Sequence, residues 1–543
     1  MLWGLQSFSQ SKTEVADNSW YHDDAHEYVL SSAEQLLGLS ELVAGGINFA
    51  NKTIYIGTDI NVSSYVWQPI GTVSNPFSGI LDGSGCTVSI GKIHPGELGG
   101  MFGCLSAGTV RNLSVAITEE QEAVKTIGAV AALADGQSVI TFCRHVQPLL
   151  AKDAMTVGGI VGVLNGKVET CHNSGELINK NESENTVGGI AGISSGVIIG
   201  SYNEASILGT NICGGIIGGK KEMHGSLKIQ GCCNEGKIYA RSHNEKETDA
   251  IVGGIGGVVN NVDMMECYNV ALISSYCYKN RNKDVSYYAY SGGLIGMGYG
   301  NISTSYNVGD VVSRCVVEVP ESMDGLAYVY SGGLIGYNWG NVVSMLSYTY
   351  NSGYVHAFGQ GRNGTFLNYG GIVGDFALFM PQMKCSYFIA DHCLAEGGGA
   401  GISLLNKNAG IQLSKEQLQA PSFLFSENKN VSGLNDHNSF APDKAEGNKG
   451  FPVFFKVQTV GFVRTVDNGF LLKGKTEIFS SQKGFYYWIA GLEDYVAEIA
   501  ANADFEYELK DLQKGQDYFF QAFVRMKDGT VLKGEVVKFH IPD

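Results

Sequence analysis

The chain has 543 residues, a formal net charge of −16, and a composition that is 44% hydrophobic but only 17% charged. That acidity argues against a nucleic-acid backbone or an anionic bilayer as the main partner, because both reward clustered Lys and Arg. Its 73 glycines and 10 prolines fit an array of tight corners between strands better than a proline-rich linker.

No run of about 18 apolar residues is present, so no membrane-spanning helix is expected. The first ten residues lack a basic region followed by an apolar core, so no export signal is visible. Residues 1–27 form a mixed polar segment. His26-Glu27 lacks the second histidine of a zinc-peptidase helix. From Ala33 the spacing of Leu36, Leu37, Leu39, Leu42 and Val43 predicts one amphipathic helix, started by Ser31 or Ser32 and stopped by Gly45-Gly46. Such a helix can cover the open end of a parallel coil.

Short strand-like segments follow at 53–56, 59–62, 67–71, 77–83 and 87–90, and then a phrase begins to recur. It reads GGMFG at 99–103, decays to IGAVA at 127, and returns as GG-[IL]-x-G or close to it from Gly158, Gly188, Gly214, Gly253, Gly292, Gly332 and Gly370. A second phrase follows each copy: CHNSG at 171–175, SYNEA at 201–205, CCNEG at 232–236, CYNVA at 267–271, SYNVG at 305–309 and TYNSG at 349–353. After the second phrase comes a short apolar alternation such as Leu177-Ile178, Ile207-Leu208 or Val311-Val312, with no helical period, so each unit offers about three strands, and stacked units bury what one cannot.

The order of a helix, W-x-P-I-G at 67–71, F-x-G-x-x-D-G-x-G at 77–85, GGMFG and the paired phrases resembles the GLUG-repeat proteins of bacterial cell surfaces. The likeness covers residues 28–455 and includes GFPV at 450–453. It implies a right-handed parallel β-helix on a cell-surface or secreted protein, and no particular activity. The zinc motif of the IgA-cleaving peptidases that share such repeats is absent from this chain.

The fold expected is therefore all-β, a right-handed parallel β-helix with an N-terminal helical cap and a C-terminal β-sandwich. Asn173, Asn203, Asn234, Asn269, Asn307 and Asn351 should stack as an amide ladder at one corner, tolerating a left-handed turn. Tyr202, Tyr268, Tyr306 and Tyr350, one residue earlier, should form an outside aromatic stripe. Cys171, Cys232 and Cys267 share a repeat position with Ser201, Ser305 and Thr349, which fits a buried ladder of small groups and neither a disulfide framework nor a metal site. No cofactor is expected.

The later glycine pairs lie further apart because residues 239–250, 274–290, 313–330 and 354–369 are inserted, read as loops leaving one corner side by side. They carry Tyr276, Tyr278, Tyr287, Tyr288, Tyr328, Phe358 and Phe366, which either pack on one another or make a platform for a glycan or a host or bacterial surface protein. From 456 to 543 the pattern changes to long alternating strands, and Leu512 six residues before Tyr518 resembles the tyrosine corner of a fibronectin type III domain.

Enzyme chemistry has one candidate cluster, where Lys279, Arg281, Lys283 and Asp284 fall near Glu318, Glu321 and Asp324 one coil on, as in a polysaccharide lyase or glycoside hydrolase. No catalytic residue is assigned, and GxSxG at 192–196 lacks the helix such a motif needs. The leading expectation is a monomeric, non-catalytic adhesion or binding protein; the alternatives are a polysaccharide-active enzyme and a structural spacer.

Overall fold

The computed structural model describes residues 16–220, 227–243, 249–280, 284–340, 343–398, 401–405, 410–420, 440–441, 448–449, 451–454, 456–465, 469–477, 482–492, 496–526 and 529–542. Up to about residue 413 the chain winds repeatedly through three parallel sheets in a constant order. A ten-stranded sheet holds Thr156–Gly158, Thr186–Gly188 and Ile212–Gly214 in successive coils. After the glycine pair the chain crosses a broad sheet in segments such as Val161–Leu164, Lys167–Glu169 and His172–Asn173. It then enters an eight-stranded sheet through Leu177–Asn179 or Ile207–Gly209. Gly158, Gly188, Gly214, Gly253, Gly292, Gly332 and Gly370 lie opposite one another in unbroken register.

The glycine pair is dictated by contact. A Cβ on Gly158 would lie 1.8 Å from the Val161 carbonyl oxygen, inside the corner. On Gly159 it would lie 2.1 Å from the Gly189 carbonyl oxygen of the next coil and 2.7 Å from the Asn173 side chain. The first glycine lets the chain turn; the second lets it pass over the asparagine row. In that row Asn173 Nδ2 donates to Asn203 Oδ1 at 2.6 Å, and the chain of amides continues through Asn234, Asn269 and Asn307 to Asn351 at 2.7–2.8 Å. His145 heads it, with Nδ1 at 2.7 Å from Asn173 Oδ1, and burial holds its pKa down to about 4.

The asparagines themselves lie in short extended segments, and the left-handed corner falls three residues earlier, at Thr170, Gly200, Gly231, Glu266, Thr304 and Tyr348. The next residue, Cys171, Ser201, Cys232, Cys267, Ser305 or Thr349, turns inward and is fully buried. The thiols of Cys171, Cys232 and Cys267 and the hydroxyls of Ser201 and Ser305 donate to the carbonyl two residues back, which is why thiol and hydroxyl interchange. All twelve cysteines are free.

The wider spacing of the later glycine pairs has a different cause from the one expected. Among the described residues these insertions are not loops leaving a corner. They lengthen the strands of two sheets, from Ile207–Gly209 and Ile212–Gly214 to Ile273–Asn280 and Val285–Gly292 one coil after another. Small side chains (Ser275, Cys277, Ala289, Ser313, Cys315, Ala327, Ala357) fill the space between the two sheets. Ser275 Oγ and Ser291 Oγ meet at 2.7 Å, and Ser313 Oγ donates to the Tyr330 carbonyl at 3.0 Å. With period-2 alternation, every second residue faces inward, many of them small, while its neighbours, many aromatic, face out.

At the start, the helix Ala33–Ala44 is capped by Ser32, whose Oγ accepts from Gln35 N–H at 3.2 Å, and ends at Gly45. It buries Leu36, Leu37, Leu39 and Val43 in the same core as Trp67 and the first coils. Beyond residue 456 two antiparallel sheets, of three and four strands, share a core of Phe462, Phe470, Leu472, Phe485, Phe520 and Phe539. Tyr518 Oη accepts from Gln513 N–H at 2.8 Å.

The tyrosine stripe is the second correction. Tyr268, Tyr306 and Tyr350 do project from the coils and stack, with ring centroids 5.1 and 4.9 Å apart, but they are buried. The returning chain covers them. Tyr350 Oη donates to the Pro452 carbonyl at 2.5 Å, Phe454 packs edge-on against Tyr268 and Tyr306, and Tyr306 Oη donates to the Glu477 carboxylate at 3.0 Å. Lys475 pairs with Glu235 at 2.6 Å and lies over the Tyr202 ring. Farther back, Arg464 donates to the Gly57 carbonyl and the His540 ring lies 4.9 Å from that of Tyr55. Rings that look like an outward display from the alternation alone are a seam.

Candidate ligand-binding cleft

The lengthened strands place the seven predicted aromatic residues on three surfaces, not one shelf. Tyr276, Tyr278 and Phe358 lie on the outer face of the eight-stranded sheet. Tyr288, Tyr328 and Phe366 lie on the outer face of the ten-stranded sheet, stacked at 4.8 and 4.6 Å. Tyr287 points inward and is 5% exposed, with Lys279 Nζ 5.1 Å from its ring centroid. Tyr287 and Tyr288 are neighbours in one strand, so the pleat sends them to opposite faces. The Tyr288, Tyr328 and Phe366 rings pack upon one another. Near it Asp249 accepts from Tyr288 N–H at 3.1 Å, and burial pushes its carboxyl up to about 6.

The outer face of the eight-stranded sheet is hollowed. In one row across the strands Arg241, Tyr276, Arg314, Phe358 and Glu396 are register partners; two residues nearer the asparagine corner the row reads Tyr239, Ser274, Val312, His356 and Leu394. Ser274 and Val312 are short between longer neighbours, which leaves a cleft of about 410 Å³ walled by Tyr239, Arg241, His243, Tyr276 and Arg314. The Arg241 guanidinium lies 5.4 Å from the Tyr239 ring centroid. The Arg314 guanidinium lies between two rings, 4.4 Å from Phe358 and 5.5 Å from Tyr276. His243 meets Tyr276 edge-on at 5.9 Å. At the outer end Tyr278 Oη donates to Glu318 at 2.8 Å, and that bond raises the phenol pKa.

Only Tyr276 of the predicted set lines the cleft. Tyr239, Arg241, His243, Ser274, Val312 and Arg314 escape a reading that looks for aromatic clusters within each insertion. The signal that would find them is the position each shares with Tyr276 or Ser274 once the strands are aligned coil by coil.

The expected lyase-like cluster does not assemble around Lys279. That side chain is fully buried, donating to Ser242 Oγ at 2.8 Å and the His243 carbonyl at 2.7 Å, because its position in the strand alternates inward. Arg281 and Lys283 lie outside the described residues. Asp284 accepts from the Asp324 N–H at 2.6 Å, Asn363 donates to Asp324, and Glu321 sits 3.9 Å from Arg362, all at the exposed tip of the strands. Ser194 of the GxSxG match is buried and accepts from Gly196 N–H at 3.1 Å, a turn contact. Among the described residues no three His, Cys, Asp or Glu side chains gather as a metal centre requires. Among the described residues no helix is long and apolar enough to cross a membrane. No protein-family model, characterised protein or solved structure matches this chain.

Proposed function

We propose that the chain is a non-catalytic adhesion or binding protein of the cell surface or secreted space, whose cleft on the eight-stranded sheet holds a glycan. In this reading the solenoid is a right-handed parallel β-helix of the GLUG-repeat kind, the helix Ala33–Ala44 is its cap, and residues 456–543 are a fibronectin type III-like sandwich. The parallel register of the coils, the Ser32-capped helix on the first coil and the Gln513–Tyr518 hydrogen bond support those three statements in turn.

The observation that carries the functional reading is the hollow between Tyr239, Tyr276 and Arg314, with partly exposed rings and polar edges on a rigid sheet. Sugar rings present C–H faces that lie on aromatic rings and hydroxyls that meet polar rims. A site on strands is held more firmly than one on loops. A glycan array tests this with wild type, Tyr276→Ala and Tyr288→Ala. Loss of at least tenfold in affinity for Tyr276→Ala alone is expected; retention of no glycan, or equal loss in both variants, refutes it.

A further inference from the structure

The cleft is cationic on a strongly acidic chain, and among the described residues its arginines meet aromatic rings but no carboxylate. Arg241 and Arg314 are exposed, and among the described residues neither has a carboxylate within ion-pair distance. Of the other described arginines, Arg111, Arg362 and Arg525 meet carboxylates at 2.8, 3.9 and 2.7 Å, while Arg144 and Arg464 meet none but donate to His172 and to the Gly57 carbonyl. On a chain with 53 acidic and 37 basic residues, Arg241 and Arg314 are thus two neighbouring exposed guanidiniums with neither a carboxylate nor a hydrogen-bond acceptor among the described residues. Stacking on Tyr239, and between Tyr276 and Phe358, fixes each guanidinium plane while leaving N–H edges open, the arrangement that grips a planar or tetrahedral oxyanion through two hydrogen bonds.

Tyr276 sits on the strand between them in the same row. Two strand spacings separate the arginines, roughly 9.6 Å along the rod axis, comparable with two sugar units of an extended chain. Resting on the glycan-binding reading, we infer that the cleft takes an acidic polysaccharide running along the rod, with Arg241 and Arg314 each holding a carboxylate or sulfate and Tyr276 under the sugar between. An acidic peptide would use the same charges but has no use for a ring at that spacing, so the glycan is favoured.

The test is affinity of the full chain for four polymers in two matched pairs: polygalacturonate against its methyl ester, and dextran sulfate against dextran. Binding at least tenfold tighter to the charged member of one pair is expected, and which pair responds distinguishes carboxylate from sulfate. Arg241→Ala and Arg314→Ala should each weaken that binding at least fivefold, Arg314→Lys should recover part of it, and Arg362→Ala, at the strand tip, should leave it unchanged. Affinity should fall with rising salt. Equal binding within both pairs, with the arginine variants silent, overturns the anionic assignment and leaves glycan binding standing. Arginine-dependent retention of polyglutamate in preference to all four polymers overturns the assignment in favour of a peptide. Retention of no polymer and no peptide overturns it together with the glycan reading.

Discussion

Replacing Asn269 by alanine removes the middle of the amide row. Three short hydrogen bonds go, Nδ2 to the Ala271 carbonyl at 2.8 Å, Nδ2 to Asn307 Oδ1 at 2.7 Å and the bond accepted from Asn234 Nδ2 at 2.7 Å, together with a long one that Oδ1 accepts from Ala271 N–H at 3.4 Å. At about 1 kcal/mol net for each short bond, the loss is about 3 kcal/mol, and stranding the Asn307 oxygen and one Asn234 N–H in a fully buried row brings it to about 3–5 kcal/mol. Asn351→Ala, at the end of the row, deletes the bond from Asn307 and the one to the Gly353 carbonyl and should cost about 2 kcal/mol. Asn301→Ala, on an exposed side chain, should stay within about 0.5 kcal/mol of wild type. Urea unfolding followed by circular dichroism ranks the three. Because stacked coils couple mainly to their neighbours, amide hydrogen exchange should quicken first between residues 234 and 307. An Asn269→Ala midpoint indistinguishable from that of Asn301→Ala, or an end variant costlier than the central one, would refute the reasoning.

A Cβ at Gly254 would lie 2.0 Å from the Gly293 carbonyl oxygen, so Gly254→Ala should prevent folding or cost more than about 4 kcal/mol, whereas Gly96→Ala, with no atom within 4 Å, should melt like wild type. The folded Asp249 carboxyl titrates near 6 against about 4 when unfolded, so its contribution to stability is complete below pH about 4 and is lost as pH rises through 6. Asp249→Asn, which keeps an acceptor for Tyr288 N–H, should therefore raise the melting temperature at pH 7, by the equivalent of about 2 kcal/mol, and flatten the profile between pH 4 and 6; an unchanged profile contradicts this. A double-mutant cycle on Lys475 and Glu235, read by limited proteolysis between the solenoid and residues 456–542, should give a coupling of about 1–3 kcal/mol, and a coupling near zero would mean the seam is held by its rings alone. A thiol reagent should label at most Cys104 and Cys393 in the native chain, the two that are not buried, and all twelve after denaturation.

The solenoid was legible because its physics repeats. Each glycine pair and each asparagine meets the same neighbours coil after coil, so local sequence carries the contact. The aromatic residues were harder, because a ring one position from a buried asparagine must leave the coil, yet nothing near Tyr306 in sequence announces that Glu477 and Phe454 will close over it. The same limit hid the cleft. Arg241, Tyr276 and Arg314 are 35 or more residues apart and become one row only when strand lengths, and hence register, are known. Reading the insertions as loops put Tyr287 and Tyr288 side by side; reading them as strands separates them. The alternation of small and large residues from Ser275 to Tyr278 was the clue to strands.

The His540 ring against that of Tyr55 and the Arg464 bond to Gly57 bring two strands of the C-terminal sheets back to the first coils. A pull applied between those two places would not stretch the rod. Tension would pass sideways through the contacts of Tyr55, Gly57 and Arg464, and the coils beyond would carry no load until that junction gave way. Mechanically the molecule is a closed buckle rather than a tether.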